Sequence, residues 1–158
     1  MQNGTGKVLQ QAQAAHQSGA LAQAKTLYES VLAKYPDHSG ALMGLGLLAY
    51  QTGRLDIAEL YLARAAAANP QNATVHFHRG NVFNRQGQND RALGSYDRVL
   101  ALEPAHAFAN ANRGVMLERM GKLDEAIAAF DRALAAKPDF TATHFNRGNA
   151  LQCPHHRQ

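Results

Sequence analysis

The chain has 158 residues, 46% of them hydrophobic and 18% charged, a length that supports a real core without a disulfide or metal staple. Its one cysteine, Cys153, excludes an internal disulfide framework and fits a reducing compartment, and no run of about 18 apolar residues is present to cross a bilayer. The formal net charge of +4, with basic and acidic residues interleaved, permits nucleic-acid binding but gives no argument for it.

The segment Met1-Gln2-Asn3-Gly4-Thr5-Gly6-Lys7 has no apolar stretch after its lysine, so a secretory leader is not expected and a cytoplasmic location is. From there the chain repeats. Pro36, Pro70, Pro104 and Pro138 are each 34 residues apart, as are Gly19, Gly53, Gly87 and Gly121. Ala24, Ala58, Ala92 and Ala126 form a third ladder, and Gly46, Gly80, Gly114 and Gly148 a fourth. The expected units are 5–38, 39–72, 73–106 and 107–140, with a partial unit 141–152, in a single domain over 1–152 that a tail 153–158 follows.

Each unit reads as a helical hairpin. Leu117, Leu123, Ile127, Phe130 and Leu134 fall on one helical stripe, and alanine is abundant without β-branched runs. Gly121 suits a reversal that needs positive φ, and each proline prevents the second helix from continuing. Asp56, Asp90 and Asp124 fall in the first turn of second helices, complementing the helix dipole. The pattern predicts helices over 6–17, 21–34, 39–51, 55–68, 73–85, 89–102, 107–119, 123–136 and 141–152. The glycine and alanine ladders let backbones approach, while Tyr28, Leu62, Tyr96 and Phe130 are expected to fill the space between adjacent hairpins.

This pattern of small-residue, aromatic and proline positions over 34 residues resembles the tetratricopeptide repeat across nearly the whole chain. The resemblance implies an all-α, right-handed superhelical solenoid of antiparallel helix pairs, with four full repeats plus one terminal helix. Two departures stand out. The bulky aromatic usual early in the first helix is replaced by Val8, Leu42, His76, Asn110 and His144, and the first unit carries Ala12 where the others carry glycine.

Chemistry motifs are sparse. Ser18, Ser30, Ser39 and Ser95 sit in no nucleophile elbow, and the glycines belong to the repeat rather than to a phosphate-binding loop. No catalytic residue, cofactor or metal site is expected. His76 and His78 are two apart and diverge on a helix, and His155 and His156 beside Cys153 lack a preorganised geometry. Arg79, Arg113 and Arg147 form another ladder. Units three and four also carry Asp97 and Asp131 at a matching phase, whereas unit two has Leu45 and Ala63 there, the pattern expected of partly buried ion pairs.

Under the family's geometry, the first helices line a concave groove. It would hold Met43, Leu47, Tyr50, Phe77, His78, Asn81, Asn84, Arg85, Phe108, Asn112, Val115, Glu118, Arg119, Phe145, Asn146 and Asn149. Amides alternating with phenylalanines suit an extended peptide, amides for its backbone and rings for its side chains. Asn112 and Asn146 resemble the asparagine ladder of O-linked N-acetylglucosamine transferases. Asn81 and Asn112 match the asparagines of the family's carboxylate clamp, but Phe77 and Ala142 replace its lysines.

The expected function is therefore a non-catalytic protein-binding module that takes a peptide, mildly acidic given Arg85 and Arg119. No nucleic-acid or membrane partner is expected. The opening hairpin resembles the N-terminal repeat of bacterial multidomain tetratricopeptide proteins, so the substrate-selecting arm of a larger transferase is an alternative. A self-associating scaffold is another, since Phe145 and Leu151 on the terminal helix would invite a homodimer.

Overall fold

A computed structural model describes residues 2–152, which form nine α-helices with no strand among the described residues. They are α1 (Gln2–Gln17), α2 (Leu21–Lys34), α3 (Ser39–Gln51), α4 (Leu55–Ala68) and α5 (Ala73–Arg85), then α6 (Asn89–Leu102), α7 (Ala107–Arg119), α8 (Leu123–Ala136) and α9 (Thr141–Gln152). Only α1 departs from the expected bounds, starting before residue 6. Gly4 and Gly6 weaken that turn by about 1 kcal/mol each relative to alanine but do not break it. Cys153, His155, His156 and the rest of the expected tail lie outside the described residues.

The hairpin turns share one chemistry. Gly19, Gly53, Gly87 and Gly121 have φ of 81°, 75°, 72° and 75°, which a side chain would strain. One residue later, the Ala20, Arg54, Gln88 and Lys122 amides donate back to the Ala15, Ala49, Phe83 and Leu117 carbonyls at 2.8–2.9 Å. That is the six-to-one closure of a glycine-terminated helix. Asp56, Asp90 and Asp124 then occupy the first turns of α4, α6 and α8, as expected.

The chain divides into two compact units inside α5, between Val82 and Phe83. In the first, Ala12, Ala24, Tyr28, Val31 and Leu45 form one cluster, and Leu42, Ala58, Leu62, Val75 and Val82 another. A Cβ on Gly46 would lie 2.7 Å from Leu62 Cγ, and one on Gly44 only 2.3 Å from Tyr28 Cζ. In the second, Phe130 packs with Leu117, Ala126, Ala129 and Ala150, and a Cβ on Gly114 would meet its ring at 2.4 Å. The expectation that these bulky residues fill space between hairpins holds, since Leu62 clusters with Val75 and Val82 of the next hairpin and Phe130 with Ala150, and two of them also serve their own hairpin. Leu62 and Phe130 press on the glycine of their own hairpin. Tyr28, whose own hairpin carries the Ala12 methyl at that place, lies over Gly44 of the next.

The departures His76, Asn110 and His144 form a set. The His76 and His144 Nε2 atoms lie 2.9 and 2.8 Å from the carbonyl oxygens of Pro70 and Pro138, and Asn110 Nδ2 lies 3.1 Å from that of Pro104. A carbonyl only accepts, so both imidazoles carry their proton on Nε2. Leu42 cannot donate, and there Arg64 Nη2 donates to the Pro36 carbonyl at 2.9 Å.

The arginine ladder is paired, but not in the register expected. Arg113 meets Asp97 at 2.6 Å and Arg147 meets Asp131, so each arginine reaches the preceding repeat's second helix rather than its own. By that rule Arg79 would face Ala63. It reaches Glu59 instead, one turn earlier and 2.9 Å away.

Two alanine substitutions on one ladder should have opposite signs. Gly114→Ala drives a methyl into the Phe130 ring and should cost about 1–3 kcal/mol as overpacking. Gly148→Ala meets nothing within 4 Å and should gain up to about 1 kcal/mol of helix propensity. Urea denaturation of both variants checks the pair.

Candidate functional site

All the side chains expected to line the groove lie on first helices, and none is fully buried. In the first unit, Met43, Leu47 and Tyr50 of α3 and Phe77, His78 and Asn81 of α5 are half-buried. Met43 and Leu47 line a cleft of about 350 Å³ with Gln13, His16 and Gln17 of α1. His16 Nε2 lies 3.0 Å from Gln51 Oε1 across it. These α1 residues escaped the sequence reading, although Gln13 and His16 stand 34 positions before Leu47 and Tyr50. The Phe77 and His78 rings meet edge-on at 5.8 Å, and burial pushes the His78 imidazole below its ordinary pKa.

In the second unit, Phe108, Asn112, Val115 and Arg119 follow one stripe of α7, with Asn84 and Arg85 at the end of α5. Phe145, Asn146 and Asn149 lie on α9, where Phe145 is 69% exposed. Arg119 Nη1 donates to Asn84 Oδ1 at 2.7 Å, which orients an exposed guanidinium. Asn112 Nδ2 donates to Tyr96 Oη at 3.3 Å, so this amide also serves the packing beneath it. Phe108 is 48% exposed and packs edge-on to Phe140 at 5.1 Å. Lys137 Nζ stands 5.4 and 5.6 Å from the two ring centres, within cation–π range. Lys137 and Phe140 follow α8 in a turn, outside the helical stripes that periodicity picks out. The face thus combines cations, an aromatic pair and amides, with Glu118 half-buried beside them.

Among the described residues, the histidines outside this face have structural uses. Besides the two bonded to proline carbonyls, His38 and His106 accept the Ala41 and Ala109 amides through Nδ1 at 3.3 and 3.1 Å, capping α3 and α7. Among the described residues there is no group of three or more His, Cys, Asp or Glu able to hold a metal ion, and no helix long and apolar enough to cross a membrane.

Tetratricopeptide-repeat family profiles match residues 15–76 and 77–139, most of the chain. The chain is a tetratricopeptide-repeat protein. Solved structures agree on an all-α tetratricopeptide fold. A MamA crystal structure matches with TM-score 0.87 and 22% identity, covering 99% of this chain and 86% of that one. YrrB, a tetratricopeptide protein described as having an unusual peptide-binding site, matches with TM-score 0.83 and 21% identity over 96% and 78%. TTC0263, a tetratricopeptide protein of Thermus thermophilus, matches with TM-score 0.71 and 26% identity over 91% and 79%. No curated protein gives a significant match.

The depressed His78 pKa gives a pH signature. The folded tetratricopeptide unit favours neutral imidazole, so the associated stability is present above the unfolded-state pKa and is lost as pH falls through the lower folded value. Between pH 7 and 5, thermal midpoints should fall less in His78→Gln than in the wild type.

Proposed function

We propose that the protein is an interaction module that binds an extended, mildly acidic peptide segment of a protein partner on its first-helix faces. The module performs no catalytic step and needs no cofactor, and neither nucleic acid nor membrane is its target. Tetratricopeptide arrays are widely used for protein binding, and the peptide-binding site named for YrrB supports this use of the fold. The carrying observation is the Arg119 guanidinium held by Asn84 on the stripe that begins at the exposed Phe108.

Phe108 and Arg119 are about 16 Å apart along α7 at the ordinary helical rise. About five extended residues span that distance. An apolar side chain on Phe108 and Phe140, with a carboxylate at Arg119, would bracket a backbone hydrogen-bonded by Asn112 and its neighbours. In the first unit, taken by itself, Met43, Leu47, Tyr50, Phe77, His78 and Asn81 would offer a surface of the same kind, with apolar contacts dominating. Asn146, Asn149, Val115 and Arg85 complete the proposed set.

Selection from a displayed library of ten-residue peptides, followed by calorimetry, tests this. Selected peptides should be enriched in Asp or Glu, and binding should weaken with salt. Arg119→Ala should cost about 1–3 kcal/mol of affinity, a charged hydrogen bond's worth. Asn84→Ala should cost less, through lost orientation. Enrichment of lysine-rich peptides, or affinity insensitive to salt, refutes the reading.

A second reading rests on α9, where Phe145 is 69% and Leu151 41% exposed. Self-association through that helix would cover both. Sedimentation should then show a concentration-dependent dimer that Phe145→Ser weakens; a monomer at every concentration refutes it.

A further inference from the structure

The opposite surface of the first unit carries a feature that the repeat pattern does not require. Between α2 and α4 lies a cleft of about 410 Å³ floored by Leu45, Leu48 and Ala49 and walled by Ile57 and Leu60. Two of these positions are apolar in this repeat alone, and a third carries a large apolar side chain only here. Leu45 replaces the residues found elsewhere as Gln11, Arg79, Arg113 and Arg147. Ile57 stands for Gln23, Arg91 and Glu125, and Leu60 for Thr26, Gly94 and Ala128. Leu60 is 58% exposed, so it gains little from burial in the fold.

The cleft also holds a carboxylate at a telling place. Glu29 occupies the ladder position of Asp97 and Asp131, which receive Arg113 and Arg147 from the following first helix. In this repeat the following first helix offers Leu45, and Glu29 has instead Lys25 of its own helix at 3.7 Å, with both side chains half exposed. The guanidinium position is thus built but not filled from within, and the shorter leucine leaves an apolar floor where the arginine stem would run.

We propose that this cleft is a second docking site, which takes from a protein partner an arginine flanked by an apolar residue. The guanidinium pairs with Glu29, displacing the Lys25 ammonium, because its two parallel donors match a carboxylate better than a point charge does. The neighbouring apolar side chain covers Ile57 and Leu60. Lys25 and the exposed Arg54 at the rim disfavour a second cation beside the first, so one arginine enters rather than a basic run.

The test is a chemical-shift titration of the isotopically labelled chain with acetyl-Leu-Ala-Arg-Leu-amide and with its twin carrying neutral citrulline for arginine. Shifts should be confined to residues 21–29 and 45–61, and the arginine peptide should bind about fivefold tighter, as befits a part-exposed ion pair. Glu29→Gln should erase that preference. Leu45→Arg, which restores the ladder, should weaken both peptides, while Arg119→Ala should change neither. Equal binding of the twins in the wild type, tighter binding of a glutamate twin, shifts elsewhere, or no shifts at millimolar peptide would each overturn the proposal. So would the same shifts on concentrating the protein alone, since a second copy would then be the occupant.

Discussion

In the second and fourth hairpins the two helices come close because one of them lacks a side chain where the other has a bulky one. Leu62 and Phe130 are fully buried only because Gly46 and Gly114 present bare backbone to them. Around those plugs the core is thin, built from alanines such as Ala58, Ala126 and Ala129 that are wholly inaccessible to water. Small residues bury little area each, so the plug supplies much of a hairpin's hydrophobic stabilisation. The outward-facing residues of α3 and α7, Asn112 and Arg119 among them, are carried on helices that this contact seats.

The hairpin architecture was legible because the devices that set helix ends are local and periodic. Glycine at positive φ and proline after the second helix recur at one spacing, and eight of the nine helices follow from them. What escaped was the contact register between helices. Whether Arg113 reaches Asp97 or Asp131 depends on which neighbouring helix lies across from it, and a ladder of identical spacing fits both. Lys137 and Phe140 escaped for another reason. They sit in a turn, where no periodicity marks which way a side chain points.

The candidate face was legible as a set of positions but less so as a set of roles. Gly44 and Asn112 occupy the same ladder place, yet one receives the Tyr28 ring and the other the Tyr96 hydroxyl. An amide there is shared between the surface and the packing beneath it. Sequence can place such a residue on the face; only the contact shows that its amide nitrogen already donates to Tyr96. The same holds for Asn84, whose oxygen is given to Arg119 rather than left for a peptide.

The proline carbonyls show how the repeat tolerates divergence. Pro36, Pro70, Pro104 and Pro138 each offer a backbone oxygen that is there whatever side chains surround it. Histidine satisfies it twice, asparagine once, and an arginine from a different helix once. Because the demand is for any donor of suitable reach, successive copies of a duplicated hairpin can drift apart at this position by neutral steps. An ancestral residue is free to disappear once a second donor has arrived, without the joint between repeats ever passing through an unbonded intermediate.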